Sequence, residues 1–302
     1  MIVAVSGGQD SLCLLDLVRT CAVRQDWQVE VAHCDHRWRS DSGEAARQVA
    51  RLCFTWGLPF HLAVAEVPPA GEAAAREWRY RRLTEFALAR GCSRVLTGHT
   101  ASDRAETLLF NLVRGSGGDG LASLDWCRPL VEGVQLVRPL LALFREETEK
   151  YCFEKCLPVA IDESNLKPHF SRNRIRLELL PYLRTHFNPQ VEAALARTAA
   201  LLADESAFLE AEANRYRESL VAEGRLDRRG VARLPLALQR RVVRGWLIEA
   251  LGAQPNFAAV ERVLACLTAP NRTRTSPVLF DRLVEVQGEW LALVQAGRRR
   301  SE

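Results

Sequence analysis

The chain has 302 residues, of which 48% are hydrophobic and 26% are charged, and its net charge is +4. This length and balance predict a globular protein of two domains and exclude the fibrous and disordered classes. Because no apolar run reaches membrane-spanning length and no signal-peptide pattern precedes Val3, we expect a soluble cytoplasmic protein with no membrane partner.

Short apolar runs alternate with helical patterns over the first part of the chain, which predicts a parallel α/β sheet. Strands are predicted at residues 2–5, 29–34, 59–64, 95–99 and 136–141. Helices are predicted at residues 11–24, 42–57, 72–91, 103–113 and 144–157, and beyond Pro189 at 190–221, 235–252 and 256–268. The fold class is therefore α/β, with a parallel-sheet domain at 1–188 and a smaller, mainly helical domain at 189–302.

The string SGGQDS, Ser6–Ser11, lies between the first predicted strand and the first helix. A helix N-terminus offers unpaired N–H groups and a partial positive charge, and glycines let the backbone approach a ligand closely. The serine hydroxyls add donors, and Asp10 can hold a divalent cation against phosphate oxygens. A plain Gly-Gly turn capped by Ser or Asp is the alternative. The whole string at this position favours an anion site.

Two further polar groups follow predicted strands, at 33–36 and 99–103, where strand ends meet at one edge of a parallel sheet. We expect His33 and His36 to close a strand end near a nucleotide, because no third ligand with fitting spacing predicts a metal site. Asp103 and Glu106 lie three residues apart on one helix face. By themselves, these two acids are better explained as residues that favour a helix N-terminus capped by Ser102.

Two groups of arginines are candidates for contact with phosphates. The first is Arg172, Arg174 and Arg176. The second is Arg233, Arg240, Arg241 and Arg244, which fall near one face of a predicted helix. A one-sided arginine stripe suits phosphate contact through bidentate geometry, and a solvated helix face is the alternative.

The motifs, taken in order, resemble a known family. SGGQDS resembles the loop of the N-type ATP pyrophosphatases of the PP-loop superfamily, which split ATP into AMP and pyrophosphate. The segments HCDHRWR, AREWRYRRL, TGHTASDRAETLLFNLVRGSGGDGL, RPLL and DESN…SRNRIRLELLPYL then resemble the tRNA(Ile)-lysidine synthetase family over residues 3–183. The resemblance implies a Rossmann-like catalytic domain at 1–188 and the family's first C-terminal domain at 189–302. It also implies the short form, without the second C-terminal domain of longer members.

The reaction implied by this resemblance uses ATP with Mg²⁺. ATP adenylates the ring-2 oxygen of the wobble cytidine in an isoleucine tRNA with anticodon CAU. Free lysine then attacks that ring carbon and expels AMP, which gives lysidine. The expected partners are therefore this tRNA and free lysine. A second copy of the chain, in a homodimer, is a further candidate partner.

The resemblance also implies residue roles. Ser6, Gly7, Gly8, Gln9, Asp10, Ser11 and His33 would bind ATP, with Asp10 as the magnesium contact. Arg76 and Arg79 would lie near the reacting phosphate, and Asp103 and Glu106 would bind lysine. Arg172, Arg174 and Arg176 would touch phosphate or tRNA, and the stripe Arg233, Arg240, Arg241 and Arg244 would bind tRNA.

Two carboxylates beside the lysine amine favour its ammonium form, although only the neutral amine can attack. We therefore assign lysine binding to Asp103 and the acceptance of a proton to Glu106.

The chain also departs from the family's usual motifs. Thr100 and Ser102 replace a His and an Asp or Asn, and HRWR at 36–39 replaces HGLR.

Three alternatives remain. A tRNA thiolase of the same superfamily would need catalytic cysteines or a C-x-x-C iron–sulfur site, whereas the nine cysteines form no such pair and no zinc spacing. A small-molecule synthetase would need no arginine stripe. A nucleotide-binding regulator would keep the loop without the catalysis.

Overall fold

The computed structural model describes residues 1–38, 42–122, 124–160 and 171–295. It divides into two compact units, Met1–Ala203 and Asp204–Glu302, and the sequence-based domain boundary at residues 188/189 stays a prediction. Each unit has its own apolar core.

A six-stranded sheet forms the centre of the first unit. Its strands are β1 (Ile2–Ala4), β2 (Glu30–Asp35), β3 (Phe60–Val64), β4 (Arg94–Thr97), β5 (Cys127–Val131) and β6 (Val134–Val137). Their order is β3-β2-β1-β4-β6-β5, and all neighbours pair in parallel except the β5–β6 hairpin. The parallel strands are those that the apolar runs predicted. Strand β5 was not expected from the sequence, because it contains Pro129, a residue that only the edge of a sheet tolerates.

Helices cover both faces of this sheet. They are α1 (Gln9–Gln25), α2 (Ser42–Trp56), α3 (Gly71–Ala89), α4 (Ala101–Val113), α5 (Gly118–Leu121), α6 (Arg145–Glu154), α7 (Ser171–Arg174) and α8 (Leu180–His186), with a π-helical turn at Ile175–Leu179. Alternate strand residues point into two cores, so Val3 packs with α1 and α2 while Ile2 packs with α3. Because helices cover both faces of the sheet, the sequences of its parallel strands are mostly continuous apolar runs.

The order of the strands fixes where a ligand can bind. From β1 the chain first forms β2 on one side and later β4 on the other, which makes β1 the point where the strand order reverses. Open α/β sheets bind ligands in the crevice beyond the carboxyl ends of the strands at such a point. The loop after β1 is therefore the expected site.

The second unit combines helices with an antiparallel sheet. Helix α9 (Val191–Leu220) contains the boundary between the units, and α10 (Arg228–Ala232), α11 (Leu236–Leu251) and α12 (Phe257–Ala265) follow it. The long helices agree with the sequence prediction. The sheet, in the order β7-β8-β10-β9, was not predicted; its strands are β7 (Val221–Ala222), β8 (Arg225–Asp227), β9 (Arg282–Gln287) and β10 (Trp290–Gln295). No helix in the described part of the chain is both long and apolar enough to cross a bilayer.

Candidate active site

The loop between β1 and α1, Ser6–Ser11, has a geometry suited to an anion. Gly7 has a φ of +93°, a conformation that side chains with a Cβ rarely adopt. Ser6 N donates to Ser11 Oγ at 3.2 Å, and Ser11 Oγ donates to the carbonyl of Gly8 at 2.8 Å. No side chain caps the first turn of α1 at Gly8. The loop is thus held by its own hydroxyls, and the positive end of the helix dipole faces the strand ends.

Gly98, which the sequence analysis did not single out, packs against the start of α1. A Cβ at Gly98 would lie 2.8 Å from the carbonyl oxygen of Asp10. Real Cβ atoms essentially never come this close to another heavy atom, so the contact requires glycine. The loop after β4 therefore lies directly against the end of the loop Ser6–Ser11.

Three carboxylates from two helices meet on one guanidinium group. Arg145, the first residue of α6, donates from Nη2 to Asp103 at 2.8 Å, from Nη1 to Glu106 at 2.9 Å and from Nε to Asp10 at 3.4 Å. Burial disfavours its charged form, yet these three acids raise the pKa of Arg145 above its ordinary value. We call these four side chains the acid–arginine cluster. It joins the phosphate loop to the predicted lysine pair.

A second arginine completes the pairing of Glu106. Arg176 donates from Nε at 2.7 Å and from Nη2 at 2.8 Å to the two oxygens of this carboxylate, whose side chain is only 3% exposed. Asp103 also accepts from the backbone N–H of Thr100 at 2.8 Å. Thr100 caps α4 in a reciprocal capping box, so the prediction of Ser102 as the cap was wrong. Ser102 instead accepts from the backbone N–H at the start of α6, at 3.2 Å.

The charge of Asp103 is stabilised by its neighbours. Burial raises its pKa, but Arg145, His99, Thr100 and Arg176 together lower it below the ordinary value. Asp103 therefore remains a carboxylate at neutral pH and has a cationic partner on two sides.

Asp10 is anchored by α6 as well. The fully buried Thr148 donates from Oγ1 to Asp10, and Gln9 Nε2 donates to the carbonyl of Arg145 at 2.9 Å. Burial raises the pKa of Asp10, and the charge of Arg145 and the hydrogen bond from Thr148 reduce that increase. Neither Arg145 nor Thr148 was expected at the site from the sequence, because neither belongs to one of the motifs quoted above.

Two histidines lie at the strand ends, His33 buried and His99 partly buried. His33 Nδ1 donates to the carbonyl of Val5 at 2.8 Å, which ties β2 to the residue before the loop. Burial is the main cause that lowers the pKa of His33 and of His99, so both rings are neutral at pH 7. The charge of Asp103 raises the pKa of His99, whereas that of Arg79 lowers it. The protonation of His99 is thus influenced by two groups of opposite charge.

The predicted pair Arg76 and Arg79 surrounds an aromatic ring. Their guanidinium carbons lie 5.0 and 5.6 Å from the ring centroid of Tyr80, and that of Arg128 lies 4.9 Å from it. Burial lowers the pKa of Arg76 to about 10. Burial raises the pKa of Tyr80, but these arginines and Arg138 lower it to below the ordinary value. We call Arg76, Arg79, Arg128 and Tyr80 the arginine–tyrosine cluster. Within the described ranges neither Arg76 nor Arg79 makes an ion pair with an acid, so this cluster carries uncompensated positive charge.

The three arginines after residue 170 have three different partners. Arg172 donates to Thr107 Oγ1 at 3.3 Å, and Arg174 lies 3.8 Å from Glu178 in an exposed pair. Of the three, only Arg176 contacts the acid–arginine cluster. The DESN segment before them (162–165) and Arg39 lie outside the described residues.

The arginine stripe of α11 is largely paired with acids. Arg240 lies 2.8 Å from Glu261, whereas Arg241 and Arg244 share Glu210 at 3.0 and 2.9 Å. These acids come from other helices of the second unit, so the local pattern of α11 did not reveal them. The pairing reduces the positive charge that the stripe presents.

Arg233, which precedes α11, differs from the other three. It is exposed and makes no ion pair in the part of the chain that the structure describes. The apolar face of α11 is buried as predicted, since Val242, Val243 and Leu247 are all inaccessible to solvent.

Metal-binding clusters are absent among the side chains that can be described. No group of three or more His, Cys, Asp or Glu residues there has the arrangement needed to hold a metal ion. All nine cysteines are free thiols, and burial raises the pKa of Cys152 to about 11.

Comparisons with known proteins agree in both units. Residues 1–183 match the PP-loop domain, and residues 226–280 match the TilS substrate binding domain. The tRNA(Ile)-lysidine synthase of Gloeobacter violaceus is 60% identical over 294 residues, which cover 97% of this chain and 90% of that protein. The enzyme of the same name from a Nostoc species is 47% identical over 317 residues, covering 100% of this chain and 92% of that protein.

A comparison of structures finds a more distant likeness. The U34-tRNA thiolase NcsA from Methanococcus maripaludis has a TM-score of 0.56 at 15% sequence identity, and the match covers 67% of this chain and 71% of that one. At this identity the likeness shows a shared fold alone.

Proposed function

The chain belongs to the tRNA(Ile)-lysidine synthase family, and on that premise we propose that it joins free lysine to the wobble cytidine of an isoleucine tRNA with anticodon CAU. ATP first adenylates the ring-2 oxygen of the base, and the lysine amine then displaces AMP from carbon 2. The observation that carries the proposal is the acid–arginine cluster. In this cluster Arg145 contacts Asp10 of the loop Ser6–Ser11 and also Asp103 and Glu106, the pair predicted to bind lysine, which supports the proposal.

ATP binding is assigned to the loop Ser6–Ser11 and to His33. The uncapped first turn of α1 and the serine hydroxyls supply donors for phosphate oxygens. The loop lies where parallel α/β sheets bind nucleotides.

Mg²⁺ fits Asp10. This ion takes one or two protein carboxylates beside the phosphates of a substrate. Burial raises the pKa of Asp10, and a neighbouring cation offsets that effect. A bound ion would neutralise negative charge on the phosphates of ATP.

Lysine binding is assigned to Asp103 and Glu106. Carboxylates alone would hold the amine in its unreactive ammonium form. Here Arg145 and Arg176 already offset most of the negative charge of these two carboxylates. The ammonium form of the lysine amine is therefore stabilised less than it would be beside two unpaired carboxylates. Glu106 must release one of these hydrogen bonds before it can accept a proton, which favours a binding role for both acids.

The anionic partners are assigned to the arginines. Arg76 and Arg79, with their uncompensated charge, suit the phosphates near the reacting base. In the second unit Arg233 is the best candidate for a phosphate contact with tRNA, and Arg240, Arg241 and Arg244 contribute less because acids offset them.

The test is a reaction of the protein with ATP, lysine and unmodified isoleucine tRNA, followed by mass spectrometry of the nucleosides. Lysidine should form. Labelled pyrophosphate should exchange into ATP when tRNA is present, without lysine. Exchange that requires lysine and no tRNA would mean that the amino acid is activated, and would overturn the proposed order.

Two variants separate the half-reactions. Asp103→Asn and Glu106→Gln should keep the tRNA-dependent exchange and lose lysidine formation, chiefly through a higher KM for lysine. If both lost exchange, the pair would belong to the ATP site. Incorporation of sulfur in place of lysine would support the thiolase alternative.

A further inference from the structure

Three aromatic rings lie together where the end of β2 meets the middle of α3. The ring of His36 lies 4.8 Å from that of Trp78, edge to face, and 5.4 Å from that of Trp38. The indole N–H of Trp38 donates to the carbonyl of Pro69 at 3.0 Å, which fixes the ring. We call these three side chains the aromatic platform.

Core packing does not account for the platform. Trp38 is 42% exposed, and Trp78 is partly exposed. Neither indole belongs to the apolar cores that the described residues form. Partly exposed aromatic rings that contact one another at the ligand edge of a sheet are candidates for a binding role.

Uncompensated positive charge adjoins the platform. Burial and the charge of Arg79 lower the pKa of His36 to about 4, so its ring is neutral at pH 7. Arg79 also lies over Tyr80 together with Arg76 and Arg128. Nδ1 of His36, Nε of Arg79 and the hydroxyl of Tyr80 are buried and have no hydrogen-bond partner within the described residues.

We propose that His36, Trp38 and Trp78 stack on an unpaired base of the tRNA anticodon loop while Arg76 and Arg79 hold the adjoining phosphates. Aromatic rings beside unpaired arginines are a combination that binds single-stranded RNA. Every base offers a π face for stacking, and every phosphodiester linkage carries a negative charge. The inference rests on the proposed function, since that function brings the anticodon loop to this unit.

The adenine of ATP is a weaker candidate for the same platform. ATP has one run of phosphates, and the loop Ser6–Ser11 is assigned to it. The positive charge of the arginine–tyrosine cluster therefore suits a second set of phosphates. A polynucleotide supplies such a set, whereas a single ATP does not.

The experiment measures the Kd of unmodified isoleucine tRNA and, separately, of ATP. Trp38→Leu and Trp78→Leu keep apolar volume but remove the large π face, and each should weaken tRNA binding by roughly five- to a hundredfold. Trp78→Tyr, which keeps a ring, should retain most of the affinity. The control is Trp27→Leu, since Trp27 has the same 42% exposure but precedes the opposite end of β2.

An abasic scan of the anticodon loop identifies the stacked base. One abasic position should weaken binding to the wild type and have no further effect on Trp78→Leu. Affinity for tRNA equal to that of the control in both leucine variants would overturn the inference, as would a loss of ATP affinity with tRNA affinity unchanged. Failure of the proposed function looks different, because then the wild type itself forms no lysidine.

Discussion

Replacement of Arg145 by Met tests whether the acid–arginine cluster is held by charge. Methionine keeps the apolar stem and removes the guanidinium group that joins Asp10, Asp103 and Glu106. Three carboxylates then face one another with less positive charge between them.

The magnitude follows from the remaining contacts. Breaking a buried ion pair by removal of one partner costs about 3–5 kcal/mol. The Arg145 side chain is 25% exposed, Glu106 keeps Arg176 and Asp103 keeps Thr100. We therefore expect the first unit to lose about 2–3 kcal/mol of unfolding free energy at pH 7.5.

The pH dependence has a definite sign. Without the guanidinium group the folded-state pKa of Asp10, already raised by burial, rises further above its value in the unfolded chain. A raised carboxyl pKa destabilises the folded state where the unfolded chain would be ionised, and protonation relieves it. The difference between variant and wild type should therefore shrink as the pH falls from 7.5 to about 4.

The assay is urea unfolding at several pH values, followed by circular dichroism and by tryptophan fluorescence. Arg47→Met is the control, because Arg47 pairs with Glu44 on the exposed surface of α2, and its loss should leave the free energy of unfolding nearly unchanged. An Arg145→Met variant that unfolds within about 0.5 kcal/mol of the wild type would refute the reasoning, and so would a deficit that does not change with pH.

Three further predictions concern other positions. Gly98→Ala places a Cβ against the carbonyl of Asp10, so it should destabilise the first unit by about 1–3 kcal/mol in thermal or urea unfolding. Gly118→Ala, with open space around it, should be nearly neutral, and equal effects of the two would contradict the packing argument. Arg233→Gln should reduce the salt slope of log K for tRNA by about 0.7–0.9, whereas Arg241→Gln should reduce it less; the reverse order would show that the stripe itself docks RNA. The lowered pKa of Asp103 contributes stability at neutral pH that is lost as the pH falls through that value, so Asp103→Asn should flatten the acid limb of a stability–pH curve.

The sequence by itself determined the features that depend on local pattern. Alternation of apolar runs predicted the parallel strands, and the string SGGQDS predicted a loop with Gly7 and Ser11 between β1 and α1. Helical periodicity put Asp103 and Glu106 on one face of α4. Each of these follows from a period of two or 3.6 residues or from the backbone freedom of glycine, which neighbours in the chain are sufficient to define.

Only the tertiary structure decided which charges meet. Arg145 and Arg176 contact acids that lie 42 and 70 residues away in the chain, and Glu210 offsets part of the arginine stripe from a separate helix. The order of the strands and the packing of α6 on α1 bring Arg145 to Asp10 and Asp103. Pairing over such separations depends on how whole elements pack and on which way long side chains then point, and neither is encoded in the local spacing that a sequence displays.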